Sequence, residues 1–266
     1  MILVAIGAVL MCITSWIAFA KCKERHTVDV THEEHVFKSA AKLLKVKEMY
    51  PMIAFWCVGC ILFQIIMSSS VYYCMYYLMN PGLIATYMLV ISISGMVGVM
   101  VLMPILLRKV KGSMKKAVTM TQSIAIVCYL ILFFVGGKSI PALYVLTFIA
   151  CMFSTMTNAF RPMTVFGMTD YVYKTTGDQL NGTISAIGGF SYKCGTAISN
   201  AILAGVLAAT GYIANAIGQE PEAVLIGINS VRFLVPLAAS VLYIIFIQFY
   251  PEKKMQELAA NSEKSN

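Results

Sequence analysis

The sequence predicts an all-helical integral membrane protein, and three observations carry that reading. Hydrophobic residues make up 59% of the 266 and charged residues only 12%, with a mean hydropathy of +0.78, a balance that soluble domains do not have. Apolar runs of around 20 residues, enough to cross a hydrocarbon core as a helix, recur along the chain. These runs are uniformly apolar, whereas strands of a membrane barrel alternate polar and apolar over about ten residues, so helices are the elements that satisfy the backbone in lipid.

Seven spans follow in order, at about 1–20, 50–79, 83–107, 117–137, 141–168, 181–209 and 222–250. In the first, Ala18-Phe19-Ala20 resembles the small-x-small cleavage site of a secretory signal. A signal places a Lys or Arg ahead of its apolar region, and here every early charge comes after it, which favours a true span over the alternative of a cleaved signal. The stretch 33–49 reads as a surface amphipathic helix, with Val36, Phe37, Ala40, Leu43, Leu44 and Met49 set among lysines. Residues 21–49 therefore have the character of a cytoplasmic linker between membrane bundles, and 50–250 of the six-helix bundle that follows it. The polar stretch 251–266 is expected to be a short cytoplasmic helix that frays into disorder.

Cations set the orientation. Segment 21–49, the loop Arg108 to Lys116, Lys174 and the tail hold sixteen of the 20 Lys and Arg, the opposite side has only Lys138, and three lie inside spans. By the positive-inside rule the N-terminus is external and the C-terminus cytoplasmic, in a multi-pass protein of the plasma (inner) membrane. The net charge of +8 is then a topology signal and gives no reason to propose nucleic acid.

The three embedded cations are Arg161, Lys193 and Arg232, and no carboxylate lies in the interior of the apolar stretches that hold them, Glu222 standing at the first residue of its span. Each costs roughly 2.5–3.5 kcal/mol at a helix centre on insertion scales, or about 8–10 kcal/mol together if all are central and unpaired. Lys193, some 12 residues into its span, sits roughly 18 Å along it, near the bilayer midplane. Carboxylates, solute hydroxyls and water in a central cavity would meet that cost, and intramembrane ionisable groups default to function over helix-tying. Arg161 precedes Pro162, whose missing N–H weakens the helix and frees carbonyls; it either lines a cavity or turns to pair with Asp170. Arg232 is read first as a helix lock or lipid-headgroup ligand.

Tyr72 with Tyr76 and Tyr73 with Tyr77 are i, i+4 pairs at the external end of their helix, suited to a sugar-stacking vestibule or to an interfacial aromatic belt. Gln64, deeper on that helix, is a candidate hydrogen-bonding group for a hydroxylated solute. After Lys193, Ala197, Ala201, Gly205 and Ala209 form a small-residue stripe beside a second of Ser191, Gly195 and Ser199, a pattern of close helix packing. Cys57-Val58-Gly59-Cys60 has the spacing of a redox or metal pair, but in an apolar span it reads as small hydrophobes. His32-Glu33-Glu34-His35 lacks zinc-protease spacing, and no P-loop or G-x-S-x-G element occurs.

Five segments in order resemble the C-terminal half of the glycoside-pentoside-hexuronide:cation symporters, the melibiose-carrier group of the major facilitator fold. They are Tyr72 to Tyr77 followed by Asn80-Pro81, the basic loop Pro104 to Lys116, Asp170 to Gly182 as the loop between helices ten and eleven, Phe190 to Gly195 with Gly211 to Asn215, and Phe249-Tyr250-Pro251. The resemblance covers nearly the whole chain, makes 1–20 the family's sixth helix, and places the first five helices outside this chain. Tyr173 stands where a second acidic residue is common, Gln179 and Asn181 where Arg and Glu are common, and Arg161 near an aromatic position of melibiose carriers.

The resemblance implies cation-coupled transport of a sugar or glycoside by alternating access, not enzymatic chemistry, with membrane lipid and a missing N-terminal bundle as partners. No cofactor is implied beyond Na⁺ or H⁺ as the coupling ion, whose carboxylate ligands the family carries on its N-terminal helices. Lys193, Arg161, Gln64, Tyr72 and Tyr76 are the candidate substrate residues, and Lys193, Asp170 and Arg232 the candidate coupling or gating residues. The rivals are a lipid or other solute transporter of related fold, and a seven-helix receptor or retinal protein, which would need a carboxylate counter-ion that the interiors of the spans lack.

Overall fold

The computed structural model describes residues 2–21, 41–43, 45–213 and 221–264, so most of the expected linker 21–49 lies outside the described residues. The chain divides into two units, Met1–His35 and Val36–Asn266. The first holds α1, Ile2–Lys21, an apolar helix closed by a lysine in its last turn.

The second unit holds six helices long and apolar enough to cross a membrane. The first is α2, Met49–Tyr72, which continues through a π turn at Tyr73–Tyr77. Next come α3, Leu83–Val97, a second π turn at Gly98–Leu102, and α4, Met103–Lys109. They are followed by α5 (Met114–Val135), α6 (Ile140–Ser154), α7 (Thr157–Thr176), α8 (Asn181–Thr210) and α9 (Glu222–Ile247). A polar helix, α10, Glu252–Lys264, follows Pro251.

Two departures from the sequence expectation have local causes. The span expected at 141–168 breaks into α6 and α7 at Thr155 and Met156, where the Thr155 hydroxyl bonds back to the Cys151 carbonyl at 2.6 Å, while Pro162 is accommodated inside α7. It also runs on to Thr176, so Asp170 to Thr176 are helix and not loop. Lys174 bonds Asp170 at 2.8 Å one turn back, and Gly177, with φ of 75°, caps the end in a conformation that glycine adopts freely.

α2 is the hub, packed most extensively on α9 and α8. Gly59 lets α9 approach, since a Cβ there would stand 2.8 Å from the Tyr243 ring, which in turn stacks on Phe55 at 4.0 Å. Trp56 locks α2 to α7 by donating from Nε1 to Thr164 Oγ1 at 2.9 Å. Toward α8, Gly195 sits so close that a Cβ would lie 2.5 Å from the Cys57 carbonyl oxygen and 2.8 Å from the Cys60 Cβ.

That contact is testable. Gly195→Val is expected to destabilise the bundle by about 1–3 kcal/mol or more through overpacking, read as a lowered melting temperature of the detergent-solubilised chain. Gly189→Ala, where an added Cβ meets nothing within 4 Å inside a helix, should melt no lower than the parent and slightly higher if helix propensity is felt.

Candidate functional site

The candidate site is a wall made by α2, α7 and α8. Only 22% of the apolar window of α8 is buried, against 56% for α2, so α8 stands at the edge of the bundle. Its two small-residue stripes divide accordingly. Ser191, Gly195 and Ser199 are buried, while Lys193, Ala197, Ala201, Gly205 and Ala209 form an exposed face. Close packing thus accounts for the first stripe, and the second is uncovered.

Arg161 comes to the same wall from α7. Its guanidinium lies over the Tyr192 ring, 5.0 Å from the centroid, next in sequence to Lys193, a cation–π contact that also fixes the plane of the guanidinium. Thr164 orients that turn, donating back to the Arg161 carbonyl at 2.9 Å while it accepts from Trp56. The Cys60 thiol of α2 is buried at the same crossing, 3.3 Å from Thr196 Oγ1 of α8. Half-buried Gln64 follows Cys57 and Cys60 along one face of α2. Among the described residues no carboxylate forms an ion pair with Arg161, Lys193 or Arg232, and no group of His, Cys, Asp or Glu could hold a metal ion.

The alternative pairing of Arg161 with Asp170 is corrected by the structure: Asp170 bonds Lys174, and Arg161 stacks on Tyr192. Arg232 is not brought to the wall either. It is fully buried in α9, donating from Nη2 to Tyr87 Oη at 2.9 Å, with its guanidinium 5.4 Å and 5.1 Å from the ring centroids of Tyr87 and Phe233. Tyr87 in turn meets Thr147 Oγ1 at 3.1 Å. This ties α9, α3 and α6 together inside the bundle and leaves Arg232 no path to a lipid headgroup.

The tyrosine pairs stack as their spacing predicts, Tyr72 on Tyr76 at 6.3 Å and Tyr73 on Tyr77 at 4.9 Å, but they face different ways. Tyr73 is buried beside Phe233 and Tyr87. Tyr76 is also buried, its hydroxyl accepting from Tyr212 Oη at 2.6 Å, while Tyr72 stays half-buried with its ring edge-on to Tyr212. Tyr212 joins the exit of α8 to that of α2, a pairing that only the tertiary fold reveals.

At the lysine-rich end, a clasp went unread in the sequence. Glu48, just before α2, accepts from Lys254 Nζ of α10 at 2.6 Å and from Tyr171 Oη of α7 at 3.2 Å. Lys42 meets Asp178, in the loop between α7 and α8, at 3.2 Å. A lone carboxylate in a lysine-rich approach to a span was the available signal for Glu48.

With this geometry in place, the comparisons with known proteins can be set beside it. A family model described as MFS/sugar transport protein matches residues 1–254. The chain belongs to that family. Its fold is the major facilitator fold, and the family is one of transporters rather than enzymes, which displaces the receptor or retinal reading. The chain is 31% identical over 209 residues to the "Glucuronide carrier protein homolog" of Escherichia coli (strain K12), covering 76% of this chain and 45% of that protein. It is 28% identical over 252 residues to the "Uncharacterized symporter YnaJ" of Bacillus subtilis (strain 168), covering 92% of this chain and 52% of that protein. These matches agree with the glycoside-pentoside-hexuronide resemblance, and the chain spans about half the length of these curated relatives.

The clasp gives a pH prediction. The Lys254 hydrogen bond, foremost, holds the Glu48 carboxyl below its ordinary value, so its contribution to stability is complete above the unfolded value of about 4.3 and is lost as pH falls through the folded one. Thermal melts of the detergent-solubilised chain should drop on acidification below about pH 4.5, and Glu48→Gln should melt lower at neutral pH with a shallower acid drop. An identical acid profile in the variant would show that Glu48 plays no part.

Proposed function

We propose that the chain acts as the C-terminal bundle of a sugar or glycoside symporter driven by Na⁺ or H⁺ and working by alternating access. The observation that carries the reading is the pair of cations, Arg161 and Lys193, on the uncovered wall of α7 and α8 without a carboxylate to neutralise them. In hydrocarbon that arrangement is tolerated only if the wall faces a wet chamber whose acidic groups come from elsewhere. In a major facilitator transporter that source is the other helix bundle, across a site near the midplane. The exposed small stripe of α8 supports the same reading, because small residues let one helix slide closely past another.

Lys193 then has a coupling role. A fixed ammonium competes with a bound Na⁺ or proton for the same carboxylates, so occupancy by the coupling ion frees the lysine and links ion binding to the solute site. Arg161 supplies a planar fork that suits a carboxylate in two parallel hydrogen bonds. The name of the Escherichia coli relative points to a glucuronide, a sugar derivative that bears such a carboxylate. On this reading half-buried Gln64 would take hydroxyls and half-buried Tyr72 a sugar face. The Glu48–Lys254 and Lys42–Asp178 contacts would be remade as the bundles rock, with Asp170 and Lys174 beside them. The positive-inside charge supports a plasma-membrane protein with an external N-terminus and a cytoplasmic C-terminus.

In the completed transporter, Lys193→Ala is expected to abolish cation-coupled accumulation of a radiolabelled glycoside while membrane insertion stays normal. Ordinary coupled accumulation in that variant would remove Lys193 from the mechanism. Arg161→Lys keeps the charge but loses the fork, and should raise KM for a glucuronide about tenfold while changing KM for a neutral glycoside far less. Equal effects on the two would argue against a carboxylate ligand.

A further inference from the structure

We infer that the lysine-rich end of the bundle carries a binding site for the headgroup of an acidic phospholipid, set between the loop after α4 and the elbow from α9 into α10. A cleft of about 680 Å³ opens there, lined by Lys109, Lys111, Lys115, Lys116, Glu252 and Lys253 among others. Five cations face one carboxylate, and that carboxylate is already engaged. Glu252 accepts from Ser113 Oγ at 3.2 Å and from the Lys115 backbone N–H at 3.3 Å, so it caps the start of α5. Lys115 spends its own ammonium on the Gln248 carbonyl at 2.7 Å. The other four lysines, Lys109, Lys111, Lys116 and Lys253, are exposed and form no ion pair with any described residue.

Charge alone would suit any phosphate, and the surroundings choose the lipid. Ile105, Met120 and Phe249 are 49%, 48% and 59% exposed and lie within two turns of the cleft on α4, α5 and the end of α9. An aqueous face does not present large apolar side chains in that way, whereas a hydrocarbon boundary does. The cleft thus lies where apolar helix surface gives way to lysine. A headgroup phosphate can enter it while its acyl chains run along Ile105 and Phe249. Basic pockets of this kind between membrane helices recognise anionic headgroups, and each lysine near a charged surface is worth about a fivefold preference. The tight turn keeps Lys109 and Lys111 close together, with Lys111 and Gly112 at φ of 53° and 77°.

The test is lipid titration of the full chain in neutral detergent, with bound lipids counted by native mass spectrometry. Short-chain phosphatidylglycerol and phosphatidylcholine are compared, with and without millimolar inorganic phosphate. The expected result is that Lys109→Gln, Lys111→Gln, Lys116→Gln and Lys253→Gln together weaken phosphatidylglycerol binding at least tenfold and leave phosphatidylcholine unchanged. Lys138→Gln, past the end of α5 opposite to the cleft, should change neither. A per-charge loss as large in that control would mean nonspecific charge and overturn the site. Displacement of phosphatidylglycerol by millimolar phosphate would overturn the lipid as its ligand. Should the fourfold variant fail to fold, Glu252→Gln decides: removing the one negative charge while keeping an acceptor oxygen should tighten phosphatidylglycerol binding several-fold, and unchanged affinity would refute the proposal.

Discussion

A cation placed in hydrocarbon has to be met by something polar, and the bundle meets its three embedded cations in two different ways. Arg232 is enclosed: the rings of Tyr87 and Phe233, the Tyr87 phenol and the walls of α3, α6 and α9 surround it, and it serves as a lock between helices. Arg161 and Lys193 are held at the edge, one braced on Tyr192 and the other on the uncovered face of α8. The same kind of charge thus marks the inside of the scaffold at one place and its working wall at another. What separates them is burial and the supply of aromatic neighbours.

The rest of the packing keeps that wall in place. Gly59 and Gly195 bring α9 and α8 close against α2, and the Trp56–Thr164 bond fixes α7 one turn beyond Arg161. Each contact depends on a small residue or a satisfied donor in an interior where volume and unpaired polar groups are both costly. At the lysine-rich end the logic changes to ion pairs, with Glu48, Lys254, Lys42 and Asp178 joining the helix ends through contacts that are weak singly and easily exchanged. A rigid wall with a set of breakable clasps at one end is the construction that the proposed rocking motion would require.

The helical class and the six spans of the bundle were legible because uniform apolarity over a span length has only one backbone solution in lipid. The wall itself was half legible. Lys193 and Arg161 declared themselves by charge, but the stacking of Arg161 on Tyr192, in place of an ion pair with Asp170, depends on a crossing of α7 and α8 that periodicity does not encode. Tyr76 and Tyr72 look alike in sequence, and one turn of helix separates them by 4 × 100°, yet the neighbour that buries Tyr76 comes from the exit of α8 over a hundred residues away. Long-range partners of this kind also hid the Glu48–Lys254 clasp. The extension of α7 through Asp170 and Lys174 was concealed because charged residues ended the apolar run while the helix went on.

The central claim is that Lys193 is neutralised across a chamber by an acid that this chain does not carry. Zero-length carbodiimide cross-linking in native membranes, followed by mass spectrometry of the Lys193 peptide, tests it most directly. The account predicts an amide between Lys193 and an aspartate or glutamate from a sequence outside these 266 residues, with yield reduced by the coupling ion. A Lys193 joined to a carboxylate of this chain, or left unmodified while other lysines react, would contradict it.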